Sequence, residues 1–103
     1  MVYIEYAALV KGREAAALRI QADLERTADP IKAMSKANEE LNQLQEKISE
    51  CERRLFASNE FDDKVYRLRF IRGRRIENIA QILHVDVSTI YRSLRRMKKD
   101  AKN

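Results

Sequence analysis

At 103 residues the chain has room for one ordinary domain, or for a small domain plus an elongated element. Charged residues make up 36% against two glycines and one proline, which points to a mainly helical protein, and a hydrophobic content of 45% argues against disorder. The formal net charge is +5, and the single Cys51 and single His84 exclude an internal disulfide and any Cys/His metal site within one chain.

The first predicted helix carries Tyr3, Tyr6, Val10, Arg13, Ala17, Ile20 and Leu24 at alternating steps of three and four, with Arg13 out of place on an apolar stripe. Gly12 costs roughly 1 kcal/mol relative to alanine inside a helix, so this helix is expected to bend there or to begin near Arg13. The run Val2–Val10 is interrupted by Glu5 and is too short to span a bilayer; neither a signal peptide nor a membrane anchor is expected. Together with the lone cysteine, this favours a cytoplasmic setting.

Thr27-Ala28-Asp29 is a short connection suited to an antiparallel helix pair. Asp29 is a good N-cap, and Pro30 then occupies the first helical position, where its missing N–H is harmless. The helix predicted over 30–57 carries Met34, Ala37, Leu41, Leu44, Ile48, Cys51 and Leu55 on one narrow stripe, with polar residues including Glu39, Glu40, Glu46 and Glu50 on the outer face. These seven residues are the candidate oligomerisation face, in a four-helix dimer or a two-stranded coiled coil, and a homodimer is expected. The alternative is a hairpin within one chain. On the stripe, Cys51 reads as a small buried apolar residue rather than a reactive thiol.

A boundary is expected at 58/59, separating a helical hairpin or coiled-coil segment (1–58) from a second domain (59–103). Ser58 or Asn59 can cap the next helix, and Glu60, Asp62 and Asp63 suit the positive end of its dipole. Three short helices follow: about 60–72, stopped by Gly73 as a left-handed cap, about 75–83, and one from after Asp86 to about Lys99. Ile76, Ile79, Ala80 and Leu83 form the inner face of the second, with the small Ala80 where helices approach most closely. Val85 plugs the turn, Ile90 and Leu94 return the third helix to the core, and Val65, Leu68 and Ile71 close it. Asp86 is placed to cap the third helix. Two helices joined by a three-to-four-residue turn, the second rich in arginine, define a helix-turn-helix. At the turn, where glycine is usual because φ is positive, this chain has His84, which tolerates that conformation better than most side chains.

Charge follows the same division. Residues 1–58 hold nine Lys/Arg and ten Asp/Glu, a net −1, whereas residues 59–103 hold twelve against six, a net +6. A local basic excess of this kind implies a polyanionic partner. There is no Gly-rich phosphate loop, no Ser/His/Asp or Cys/His set and no clustered carboxylates in a plausible pocket, so an enzyme is not expected and neither is a cofactor or metal.

The helix VYRLRFIRG ending in Gly73, the segment IENIAQILHV and the stretch VSTIYRSLRR resemble region 4 of bacterial sigma factors and related helix-turn-helix domains. A helical hairpin followed by such a module is similar to short phage and prophage regulators of late transcription in Gram-positive bacteria. The resemblance covers residues 62–99 and implies an all-α fold with a trihelical DNA-binding unit. With its third helix in the major groove of double-stranded DNA, Val87, Ser88, Tyr91, Arg92 and Arg95 would face base edges, with Arg92 and Arg95 suited to guanine O6 and N7. Arg72, Arg74, Arg75, Thr89, Arg96, Lys98 and Lys99 would meet phosphates. Sigma region 4 also contacts RNA polymerase, which implies such a role for Tyr66, Arg67, Phe70 and Arg72, and a protein-binding module that contacts polymerase or a regulatory partner is the alternative outside DNA binding. A DNA-packaging protein like the small subunits of phage terminases is the alternative within DNA binding, although there the DNA-binding unit is expected first and here the order is reversed.

Overall fold

The described residues form only helices: α1 (Val2–Arg26), α2 (Pro30–Ala57), α3 (Phe61–Tyr66) running straight into a π-helical stretch (Arg67–Ile71), α4 (Ile76–Leu83) and α5 (Val87–Lys102). The computed structural model describes residues 1–102, with side chains as far as Asp100; Asn103, the last residue of the expected second domain, lies outside the described residues. The body is elongated, 58 × 24 × 22 Å. A two-helix stalk projects from a head built of α3, α4 and α5. No helix among the described residues is long and apolar enough to cross a membrane.

The stalk begins and ends where its capping residues dictate. The Asp29 carboxylate accepts from the Lys32 N–H at 3.3 Å, Pro30 opens α2, and the Thr27 hydroxyl accepts from the Asp29 N–H at 3.2 Å. The expected break in α1 is absent, because the helix runs unbroken through Gly12. A Cβ at Gly12 would meet nothing within 4 Å, so the glycine lies on an open face and its propensity cost is offset by packing elsewhere along the helix. Arg13 is not misplaced either: it sits at the seam's edge and donates to Gln45 Oε1 at 2.8 Å. Ala16 is buried and Ala17 exposed, the drift of a straight helix against a strict three-four repeat.

The candidate oligomerisation face is largely spent within the chain, which corrects the expectation for that stripe. Ala37, Ile48, Cys51 and Leu55 are buried and Leu41 and Leu44 are half-buried, because α1 folds back along α2 through a three-residue turn. Only Met34, near the tip, stays largely open at 53% exposure. Cys51 is buried, and its thiol faces the Val2 carbonyl at 3.9 Å; burial pushes the thiol pKa up and keeps the group protonated.

The main core lies in the head but crosses 58/59. Val65, Ile79, Ala80, Ile90 and Met97 pack with Tyr3 of α1 and Leu55 of α2. The expected positions Leu68, Ile71, Ile76, Leu83, Val85 and Leu94 surround that cluster. Arg67 welds the junction, its guanidinium donating to the carbonyls of Leu55, Phe56 and Ser58 at 3.1, 2.7 and 3.3 Å. These acceptors lie at the end of α2, where carbonyls run out of i+4 partners, and the Leu55 carbonyl also accepts the Ser58 N–H at 3.2 Å.

Asp62 and Asp63 lie in the first turn of α3, as their helix-start reading has it, but both are buried and partnered far along the chain. Asp63 is fully buried and accepts from the Tyr3 and Val2 N–H groups of α1 at 2.9 and 3.4 Å and from the Ser58 hydroxyl at 2.6 Å. It therefore caps a helix sixty residues away in sequence. Asp62, 4% exposed, accepts from the Ser93 hydroxyl at 2.6 Å and from Arg96 at 2.7 and 3.1 Å, tying α3 to α5. The Arg96 guanidinium, aided by Ser93, holds the Asp62 carboxyl below the usual carboxylate range against the opposing effect of burial.

Candidate nucleic-acid interface

The turn between α4 and α5 takes its shape from backbone chemistry. His84 adopts φ 57° and ψ 45°, the left-handed conformation expected of it. The Val85 N–H donates to the Ala80 carbonyl at 3.0 Å and the His84 N–H to the Gln81 carbonyl at 3.3 Å. This bonding pair is the Schellman arrangement, and half-buried Val85 supplies its usual hydrophobic contact. Gly73 provides the second left-handed residue, at φ 65°, ending the π-helical stretch before α4. At the start of α5 it is the Asp86 backbone carbonyl that accepts, from Thr89 at 3.0 Å and Ile90 at 3.4 Å.

The orientation of α5 is fixed by four residues at three-four spacing. Ile90, Ser93 and Met97 are buried and Leu94 is half-buried against the core. Sequence reasoning used Ile90 and Leu94 alone; Met97 lay on the same stripe and could have been found by extending it. Ser93 could not, because a serine is an inner-face residue here only because Asp62 receives its hydroxyl.

With that face held inward, Ser88, Tyr91, Arg92 and Arg95 are turned outward, along with Val87, which is 36% exposed. Arg74, Arg75, Lys98 and Lys99 are exposed as well, so the head has one cationic flank running from the entry of α4 along α5. Thr89 is half-buried in a concave notch between α4 and the start of α5, where Glu77, Gln81 and His84 also line the surface. Arg72 is exposed but lies over the Phe56 ring, 5.4 Å from its centroid, a cation–π contact that anchors its stem to the stalk.

One expected phosphate contact is withdrawn. Arg96 is directed at Asp62 through two hydrogen bonds, and that pairing raises the guanidinium's own pKa. A bidentate grip on a buried carboxylate is a structural bond, so Arg96 positions α5 and is not a free phosphate ligand. The set implied for polymerase contact is also reduced. Arg67 is committed to the end of α2, and Tyr66 stacks on Tyr3 at a centroid distance of 5.5 Å and packs tilted against Phe70 at 5.0 Å. Phe70 remains open at 59% exposure.

Comparison with family models, with curated proteins and with solved structures finds no match to the chain. The chemistry of the flank is therefore what speaks for function: guanidinium forks, a hydroxyl and an aromatic ring on a helix pinned from behind, with ammonium groups beyond them. Among the described residues no group of three or more His, Cys, Asp or Glu is arranged to hold a metal ion.

Proposed function

We propose that the protein is a sequence-specific double-stranded DNA-binding transcriptional regulator that inserts α5 into the major groove and acts as a homodimer. What carries this is the outward presentation of Arg92 and Arg95 on a helix whose reverse side is fixed by Ile90, Ser93 and Met97. A helix enters the major groove and reads guanine through bidentate arginine only if that side chain is free and its backbone is rigid. The exposure of Arg92 and Arg95 and the burial of Ile90, Ser93 and Met97 support this reading of α5. Ser88 and Val87 are then placed for a base edge and a thymine methyl, Tyr91 for a sugar or base face. Arg74, Arg75, Lys98 and Lys99, with Arg72 and Thr89 at the margins, supply contacts to phosphate.

The resemblance to sigma region 4 and to phage regulators of late transcription suggests the regulatory setting, and what supports the dimer is the open apolar pair Ile31 and Met34 near the stalk tip. Binding by the full chain to selected oligonucleotides, over a range of salt concentrations, tests the proposal. Arg92→Ala should lose roughly 1–3 kcal/mol on the preferred site and relax preference at one base pair. Lys99→Ala should weaken preferred and scrambled duplexes alike and lower the salt slope by about one unit. A dimer should select paired half-sites about 10–10.5 bp apart or at multiples of that spacing. Identical behaviour of the two variants, or no duplex bound at low salt, would defeat the assignment.

A further inference from the structure

A second surface is built where α1 meets the head, apart from the base-reading residues of α5 and the stalk seam, although it shares Lys98 with the cationic flank. It is an open trough of about 770 Å³ with a largely apolar lining. Ala7, Leu94 and Met97 line it together with Ile4 and Phe70, which are 44% and 59% exposed, and the exposed cations Lys11, Arg69 and Lys98 complete the lining. The one acid in the lining, Asp100, accepts the Tyr3 hydroxyl at 2.7 Å. Arg69 donates to the Arg74 carbonyl, and none of the three lining cations forms an ion pair among the described residues.

We propose that this trough docks an acidic amphipathic helix of a partner protein, with Leu- or Phe-type anchors entering between Ile4 and Phe70 and Asp or Glu beside them meeting Lys11, Arg69 and Lys98. An open apolar channel with cations in its lining matches a helix with an i, i+3/i+4, i+7 apolar row and acidic flanks. Duplex DNA offers no apolar ridge to fill it. A second copy of the chain is a poor occupant, because its α2 stripe is spent against α1. Its open apolar pair, Ile31 and Met34, neighbours Lys32 and Lys36, which carry the wrong sign. The trough is specific to the whole chain, because α1 contributes one side of it and is held there by the Asp63 cap on Tyr3. Arg69 and Phe70 are carried by the π-helical stretch, a feature frequent at functional sites. The proposal does not depend on DNA binding.

The test pans the immobilised full chain against a displayed library of helical peptides and measures synthetic copies of the enriched sequences by fluorescence anisotropy. Enriched peptides should carry apolar residues at i, i+3/i+4 and i+7 with Asp or Glu alongside. Phe70→Ser and Ile4→Ser should each weaken binding by at least about tenfold, and Lys11→Glu by about three- to tenfold, more at low salt. Ile4, Phe70 and Lys11 are exposed, so thermal melts of the variants should match wild type; if either apolar variant unfolds, Lys11→Glu decides alone. Failure to enrich any helix, enrichment without acidic flanks, or peptide affinity indifferent to these substitutions would overturn the proposal. So would a dimer in sedimentation that Phe70→Ser dissolves, since a second copy would then own the trough.

Discussion

The stalk and the head use the same helical vocabulary but hold their helices in place by different means. In the stalk, α1 and α2 share an apolar seam that is only half sealed at Leu41 and Leu44, and its cross-helix polar contacts are at the surface: Arg19 with Glu40, Arg54 with Glu5, Arg13 with Gln45. Exposed pairs of this kind contribute little and are screened by salt. In the head, Leu55, Val65, Ile79 and Ile90 have no solvent exposure, and two buried carboxylates have their acceptor sites filled by partners from α1 and α5. Buried polar bonds cost desolvation but fix geometry, because any displacement leaves a charge unpaired. Precision is therefore concentrated in the head, where α5 is held, and the stalk is packed with looser tolerance.

That contrast can be broken most directly by matched truncations of leucine. Leu55→Ala, at a residue with no exposure that links α2 to the head core, should cost about 3–5 kcal/mol in urea unfolding. Leu44→Ala, half-buried in the stalk, should cost about 1–2 kcal/mol, because less apolar area is lost and water already reaches the site. Equal penalties would mean that stalk and head are packed alike and that the division drawn above is wrong.

The next effect in size concerns the buried acids. Asp62→Ala removes the acceptor for Ser93 and the partner of Arg96, leaving a buried hydroxyl unsatisfied, and should cost about 2–3 kcal/mol. The same carboxylate gives a pH signature whose sign is fixed by its lowered pKa. Its contribution is fully present above the unfolded-state value of about 3.9 and is lost as pH falls through the lower folded-state value. The stability gap between wild type and Asp62→Ala should thus be constant from neutral pH to about 5 and close as pH drops further. A gap that persisted undiminished at the acid end would show that packing, not the ionised carboxylate, carries the effect.

The limits of the sequence follow from the same contrast. Periodicity and capping chemistry are local, so the bounds of α2, the core positions of α4, Ile90 and Leu94 of α5, the left-handed cap at His84 and the outward set Ser88, Tyr91, Arg92 and Arg95 were legible, whereas Met97 and Ser93 of α5 were missed. Burial of Asp62 and Asp63 was not legible either, because an acid at a helix start looks the same whether its partner is water or a residue far along the chain. Asp63 is defined by Tyr3 and Asp62 by Ser93 and Arg96, separations of 60, 31 and 34 residues. That one unseen partnership also removed Arg96 from the phosphate set. The π-helical stretch left no local mark either, nor did the capture of α2's end by Arg67. The apolar stripe of α2 was read correctly as a stripe, but its partner was misassigned in part: a repeat specifies that something must cover it, while α1 of the same chain and a second chain satisfy it equally.

The smallest effect tests whether the turn in the head is as finely set as its core. His84 is exposed and held at φ 57°, a region that disfavours side chains by about 1–2 kcal/mol per residue. Glycine removes that cost but adds freedom to the unfolded chain, which returns about 0.5–1 kcal/mol. His84→Gly should accordingly stabilise by less than about 1 kcal/mol, seen as a higher urea midpoint at unchanged slope. His84→Val, β-branched in the same backbone conformation, should destabilise by more than the glycine variant gains. If glycine lowered the midpoint instead, the imidazole would have to hold the α4–α5 turn through its side chain, and the backbone bonds of Val85 and His84 to Ala80 and Gln81 would not suffice to set the angle at which α5 is presented.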